Sequence, residues 1–128
     1  MTPEAASFRV QLWLKQQDSG TLQISYWSTA EFSSALSLKI RTGQIDLTQR
    51  ADALAAFAEL KKRSLDLLRV ARRHFDLAAR LADDASLGLR ASDALHLAIS
   101  MDSNSALCTL DHKLASAAAA VGAKSLSP

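Results

Sequence analysis

The chain has 128 residues, 48% hydrophobic and 22% charged, which suits one ordinary core and excludes a disordered tail or a low-complexity linker. A formal net charge of +2 neither demands a nucleic-acid partner nor forbids one. A single cysteine, Cys108, rules out an internal disulfide, and no apolar run reaches the ~18 residues of a membrane span. Met1-Thr2-Pro3-Glu4 lacks the basic start and apolar segment of a secretory signal. The expectation is a single domain over 1–128 in the reducing cytoplasm, with no membrane partner and with Cys108 as a buried packing residue.

Thr2-Pro3-Glu4 supplies an N-cap, a proline and an acid for a first helix that runs through Phe8, Val10, Leu12 and Leu14 to Gly20. Thr21 to Trp27 alternates polar with apolar residues and predicts a strand, best defined from Leu22 to Tyr26. A helix follows from Ser28 to about Thr42 before Gly43, with Phe32, Ala35, Leu36 and Ile40 on one face. Asp46 to Arg63 repeats the pattern through Leu47, Ala51, Leu54, Ala58 and Leu60. Ser64 to Val70 predicts a weaker strand, Arg72 to Ala85 a helix, and Gly88 a turn. Ser92 to Met101 is apolar almost all round and predicts a helix near the core. Ser105 to Leu110 predicts a buried strand, Asp111 to Val121 a last helix, and the residues after Gly122 a ragged final strand.

Strands alternating with helices argue for an α/β fold, a parallel sheet flanked by helices. Two clear strands and a weaker third are few for an open sheet, as if one were missing from the front.

Sites in such sheets form at the carboxyl ends of strands, where strand turns into helix. Glu31, Asp93 and Asp111 all stand at or near such helix starts. Acids converging from separate segments repel one another unless a divalent cation neutralises them, and oxygen donors of this kind suit Mg²⁺ or Mn²⁺. Each acid also has a plainer reading. Acids near helix N-termini are favourable by roughly 0.3–1 kcal/mol through the helix dipole. Ser28-Thr29-Ala30-Glu31 is a literal capping box, although Glu31 shares a stripe with Ala35 and Leu38. Asp93 opens the least polar helix, where an unpaired carboxylate is costly, and Asp111 is placed to act as an N-cap.

The stretch Leu89-Arg90-Ala91-Ser92-Asp93-Ala94-Leu95-His96-Leu97-Ala98 resembles the "DALHLA" signature of PIN-domain nucleases, especially the toxin ribonucleases of VapBC toxin–antitoxin pairs. Thr109-Leu110-Asp111-His112-Lys113-Leu114-Ala115 resembles the same family's "T-x-D-x-x-L-A" element, and Ser28 to Ala35 its glutamate-bearing helix. The resemblance runs in family order from about Pro3 to Ala123. It implies a PIN-like endoribonuclease that hydrolyses RNA phosphodiesters, with Glu31, Asp93 and Asp111 as catalytic and metal-site residues for Mg²⁺ or Mn²⁺. A metal there polarises the phosphoryl oxygen, activates water and stabilises the leaving oxygen. The resemblance also implies an antitoxin partner, a homodimer, and a water-orienting role for Thr109. The family opens with a strand carrying an Asp in a pattern like "L-D-T-S", which is not found before the helix at Pro3. The first central strand is therefore expected to be missing, through a start placed too late, a shortened chain or a relative that has lost it.

Arg90, just before the acidic helix, is the better basic candidate for contact with substrate or antitoxin. Lys61-Lys62-Arg63 and the group Arg69, Arg72, Arg73 and His74 suit either RNA phosphates or a solvated face. His96 is expected to be a hydrogen-bonded packing residue, and Trp13, Tyr26 and Trp27 core or interface residues. Two other classes stay open. One is a catalytically silent PIN-like module that binds an antitoxin or its own copy; the other is a helical structural protein whose three acids are caps.

Overall fold

A computed structural model describes residues 22–63, 65–109 and 111–126. The helix expected from Thr2 to Gly20, with Trp13, lies outside the described residues. The described residues divide between Val70 and Ala71 into two compact units.

In the first unit, β1 (Leu22–Ser25) leads into α1 (Tyr26–Arg41), and α2 (Leu47–Arg63) leads into β2 (Leu65–Leu68). The strands pair in parallel, Leu22 with Leu65 and Ile24 with Leu67, so the two helices form the crossover that parallel pairing requires. Helix α1 starts two residues earlier than the expected Ser28. Ser25 is the N-cap, its Oγ accepting the Ser28 amide at 3.3 Å, which ends the strand at Ser25. Gly43 closes α1 at a φ of +74°. Asp46 and Gln49 then cap α2 reciprocally: Asp46 Oδ1 accepts the Gln49 amide at 2.7 Å, and Gln49 Oε1 accepts the Asp46 amide at 2.9 Å.

The face on which α2 packs differs from the expected one. Leu47 is 69% exposed, Ala51, Leu54 and Ala58 are exposed too, and no residue of the helix is fully buried. Its half-buried residues are Arg50, Ala53, Phe57, Leu60 and Lys61, a stripe at spacings of three and four set by the partner helix. Phe57 stacks on Phe32 of α1 with centroids 4.2 Å apart, and the Lys61 ammonium lies 4.9 Å from the Phe57 centroid. On α1, Leu36 is buried whereas Ala35 is exposed.

The second unit contains α3 (Arg72–Asp83), α4 (Ala91–Asp102), β3 (Leu107–Cys108), α5 (His112–Ala120) and β4 (Ser125–Leu126). Strands β3 and β4 are parallel, Leu107 with Ser125 and Cys108 with Leu126, so the expected last strand is present and α5 is its crossover. Helix α4 carries the largest share of this unit's core, as its composition predicts: Ala94, Leu95, Leu97, Ala98, Ile99 and Ser100 are all buried. Ala78 and Leu81 of α3 and Leu114, Ala117 and Ala118 of α5 are buried as well. A two-stranded sheet is marginal on its own, so helix packing is the main source of stability here.

Cys108 departs from expectation. It is exposed, because β3 is only two residues long and alternation turns Cys108 away from the side on which Leu107 is half-buried. Neighbouring atoms still desolvate the thiol in part and push its pKa up. The chain is thus mixed α/β, with parallel pairing bridged by helices in each unit. No described helix is long and apolar enough to cross a membrane.

Candidate functional site

Asp93 and Asp111 both belong to the second unit, each in the first turn of a helix. With Arg90 as N-cap of α4, Asp93 occupies the third helical position. It is half-buried and makes no hydrogen bond or ion pair with a described residue. Its carboxylate is favoured there by the positive end of the helix, which offsets part of the desolvation cost. Arg90 is exposed and does not bond its own helix through its side chain.

Asp111 is the N-cap of α5, its Oδ1 accepting the Lys113 amide at 2.9 Å. Of its two readings, the cap is therefore realised. The Asp111 amide donates to Thr109 Oγ1 at 3.0 Å, a local turn that fixes how the chain leaves β3. Thr109, the candidate water-orienting residue, thus orients the backbone of Asp111. Asp111 is exposed, and its Oδ2 carries no hydrogen bond to a described residue.

The N-terminal turns of α4 and α5 lie at one end of this unit. Gly88, two residues before the α4 cap, adopts a φ of +64°, and a Cβ there would meet Lys113 Cε at 2.9 Å. The end of the Lys113 side chain, from the first turn of α5, thus lies against the loop that leads to Asp93, and the positive φ is what favours glycine at position 88. Arithmetic agrees. Nine residues of helix back from Asp102 span about 13 Å, a distance that a few extended residues leading to Asp111 readily retrace.

Glu31 stands in the first unit, in the second turn of α1. The capping-box reading of Glu31 is overturned: the Ser28 amide is taken by Ser25 Oγ, and Ser28 is itself inside the helix. Glu31 is half-buried, but its stripe partners Ala35 and Leu38 are exposed, so the stripe is not a core face. Within either unit, no three described His, Cys, Asp or Glu side chains form a group able to hold a metal ion. At Asp93 both carboxylate oxygens, and at Asp111 Oδ2, make no hydrogen bond to a described residue.

The basic residues sort differently from expectation. Arg63 pairs with Glu59, and Arg72 Nε lies 4.0 Å from Asp76 Oδ2, both along the surface of their helices. Arg73 Nε bonds Asp102 Oδ1 and Oδ2 at 3.2 and 3.1 Å. His74 is 3% exposed, with Nε2 2.8 Å from Asp102 Oδ2, so it belongs to the helix interface and not to a phosphate-binding face. His96 is half-buried, in keeping with a packing role. Tyr26 and Trp27 are 54% and 37% exposed and so are not core residues. Reading the sequence did not single out Asp102; the only trace of its role was His74 at the start of a helix, where a side chain can cap.

No protein-family model matches this chain, and no curated protein matches it.

Proposed function

We propose that the chain is a PIN-like, Mg²⁺- or Mn²⁺-dependent endoribonuclease, the toxin of a toxin–antitoxin pair acting on RNA as a homodimer. One observation carries this reading: Asp93, half-buried and without a described partner, lies at the same end of the second unit as Asp111, whose Oδ2 is uncommitted among the described residues. The motif resemblance around Asp93 and Asp111 supports it, as does parallel strand pairing in both units. Asp93 and Asp111 are the residues that would hold the cation, with Glu31 as the third acid by resemblance. When bound, the cation supplies Lewis-acid polarisation of the phosphodiester and neutralises charge. Thr109 holds the backbone of Asp111 in place, and Arg90, exposed at the head of α4, is set to attract an RNA phosphate or an acidic antitoxin segment.

The test is cleavage of RNA by the purified full chain with and without Mg²⁺. Cleavage is expected to require the cation and to fall at least ~100-fold in Asp93→Asn, in line with the loss of a charge-stabilising group. Metal-independent cleavage, or full activity in that variant, overturns the reading. A second reading, a catalytically silent PIN-like module binding an antitoxin or its own copy, is favoured by the capping role of Asp111, which gives that residue a purpose without any metal. Folded chain that takes up neither Mg²⁺ nor Mn²⁺ in titration calorimetry selects it.

A further inference from the structure

The second unit holds a buried imidazole that the proposed chemistry does not use. His74 occupies the third position of α3, and both ring nitrogens are engaged. The Ala71 amide donates to Nδ1 at 2.8 Å, while the His74 amide donates to the Ala71 carbonyl at 3.0 Å. On the far side of the ring, Nε2 meets Asp102 Oδ2 at 2.8 Å, at the end of α4. An amide N–H only donates, so Nδ1 presents its lone pair and the single ring proton sits on Nε2, donated to the carboxylate. Ala71 is also the first described residue of the second unit, directly after the last residue of the other unit, Val70.

We propose that His74 is a proton-operated clasp on the first turn of α3. With the ring neutral the clasp is shut. Adding a proton to Nδ1 removes the acceptor and sets two N–H groups against each other, releasing the Ala71 amide and the turn it closes; the Nε2 bond to Asp102 survives as an ion pair. Nothing but a proton from solvent is consumed. The charged group facing the ring from α4, the helix packed against α3, is Asp102; His96 and Asp93 lie six and nine residues back along that helix. From its own helix the neighbour is Arg73, bound to the same carboxylate, whereas Asp76 is engaged by Arg72.

Nitrogen-15 NMR of the imidazole, together with amide hydrogen exchange on the full chain from about pH 8 to about pH 5, tests this. The expected result is a proton on Nε2 at the upper end, then an Ala71 protection factor that falls at least about tenfold in step with the His74 titration while Leu97 in the core keeps its own. In His74→Gln, which retains an N3 side-chain acceptor that does not titrate, Ala71 protection is expected to persist through the same range. Should that variant fail to fold, Asp102→Asn keeps an acceptor for Nε2 and is expected to preserve the coupled response with its midpoint at lower pH. A proton found on Nδ1, Ala71 protection unchanged through the His74 titration, or a ring that stays neutral until the unit unfolds overturns the proposal.

Discussion

Asp111 caps α5 and is also a proposed metal ligand, and its substitutions separate the cap from the proposed role. Oδ1 caps α5, so Asp111→Ala is expected to cost about 1 kcal/mol in urea unfolding. Asn caps as well as Asp, so Asp111→Asn should leave the unfolding midpoint nearly unchanged while abolishing Mg²⁺-dependent RNA cleavage. A variant that keeps both stability and cleavage would count against a metal role for Asp111. At the far end of α4, the hydrogen bond from His74, seconded by Arg73, holds the Asp102 carboxyl below its ordinary value of 3.8 against some desolvation. The native state therefore binds fewer protons than the unfolded chain at acidic pH. The stabilisation from Asp102 is complete above the unfolded pKa of about 3.9 and is lost as pH falls through the lowered folded value. Below about pH 4 the thermal midpoint of the parent chain should fall more steeply than that of Asp102→Asn.

Among the elements, α4 is the one whose sequence already declares its surroundings, because Ala94, Leu95, Leu97, Ala98 and Ile99 leave no broad polar face. Leu97 is fully buried, so Leu97→Ala is expected to cost about 2–5 kcal/mol in urea unfolding. Leu54 of α2 makes the contrast. It occupies a position that periodicity assigned to the packed face, yet it is 36% exposed, and Leu54→Ala should change stability by far less than Leu97→Ala. Equal losses at the two positions would contradict the packing described.

For the molecule as a whole, the proposed cation site ties binding to stability, since a ligand that binds only the folded state raises the unfolding temperature. Mg²⁺ at about 100 times its dissociation constant should add roughly 2.7 kcal/mol to the parent chain and much less to Asp93→Asn, a comparison open to differential scanning calorimetry with EDTA as the reference. The small net charge of +2 makes a general electrostatic effect of the salt a minor part of that shift, and NaCl at matched ionic strength controls for screening.

Local interactions wrote much of this protein into its sequence. The N-cap at Asp111, the turn glycines Gly43 and Gly88 and the all-round apolar α4 each depend on residues within about one helical turn, so reading along the chain was enough to propose them, whereas the equally local Asp46–Gln49 capping box went unread. Even so, two competing serines misplaced the start of α1, because both can cap and only the backbone path decides between Ser25 and Ser28. Other features depend on neighbours remote in sequence. The stripe of α2 that packs is chosen by Phe32, the exposure of Cys108 by the short pairing with β4, and the burial of His74 by Asp102, 28 residues further on. The same separation governs the candidate site: only the fold brings the first turn of α5, through Lys113, against the loop at Gly88 that precedes Asp93. Periodicity and capping are short-range and cheap to read, whereas which surfaces meet is settled by the collective burial of apolar area, which no single segment specifies.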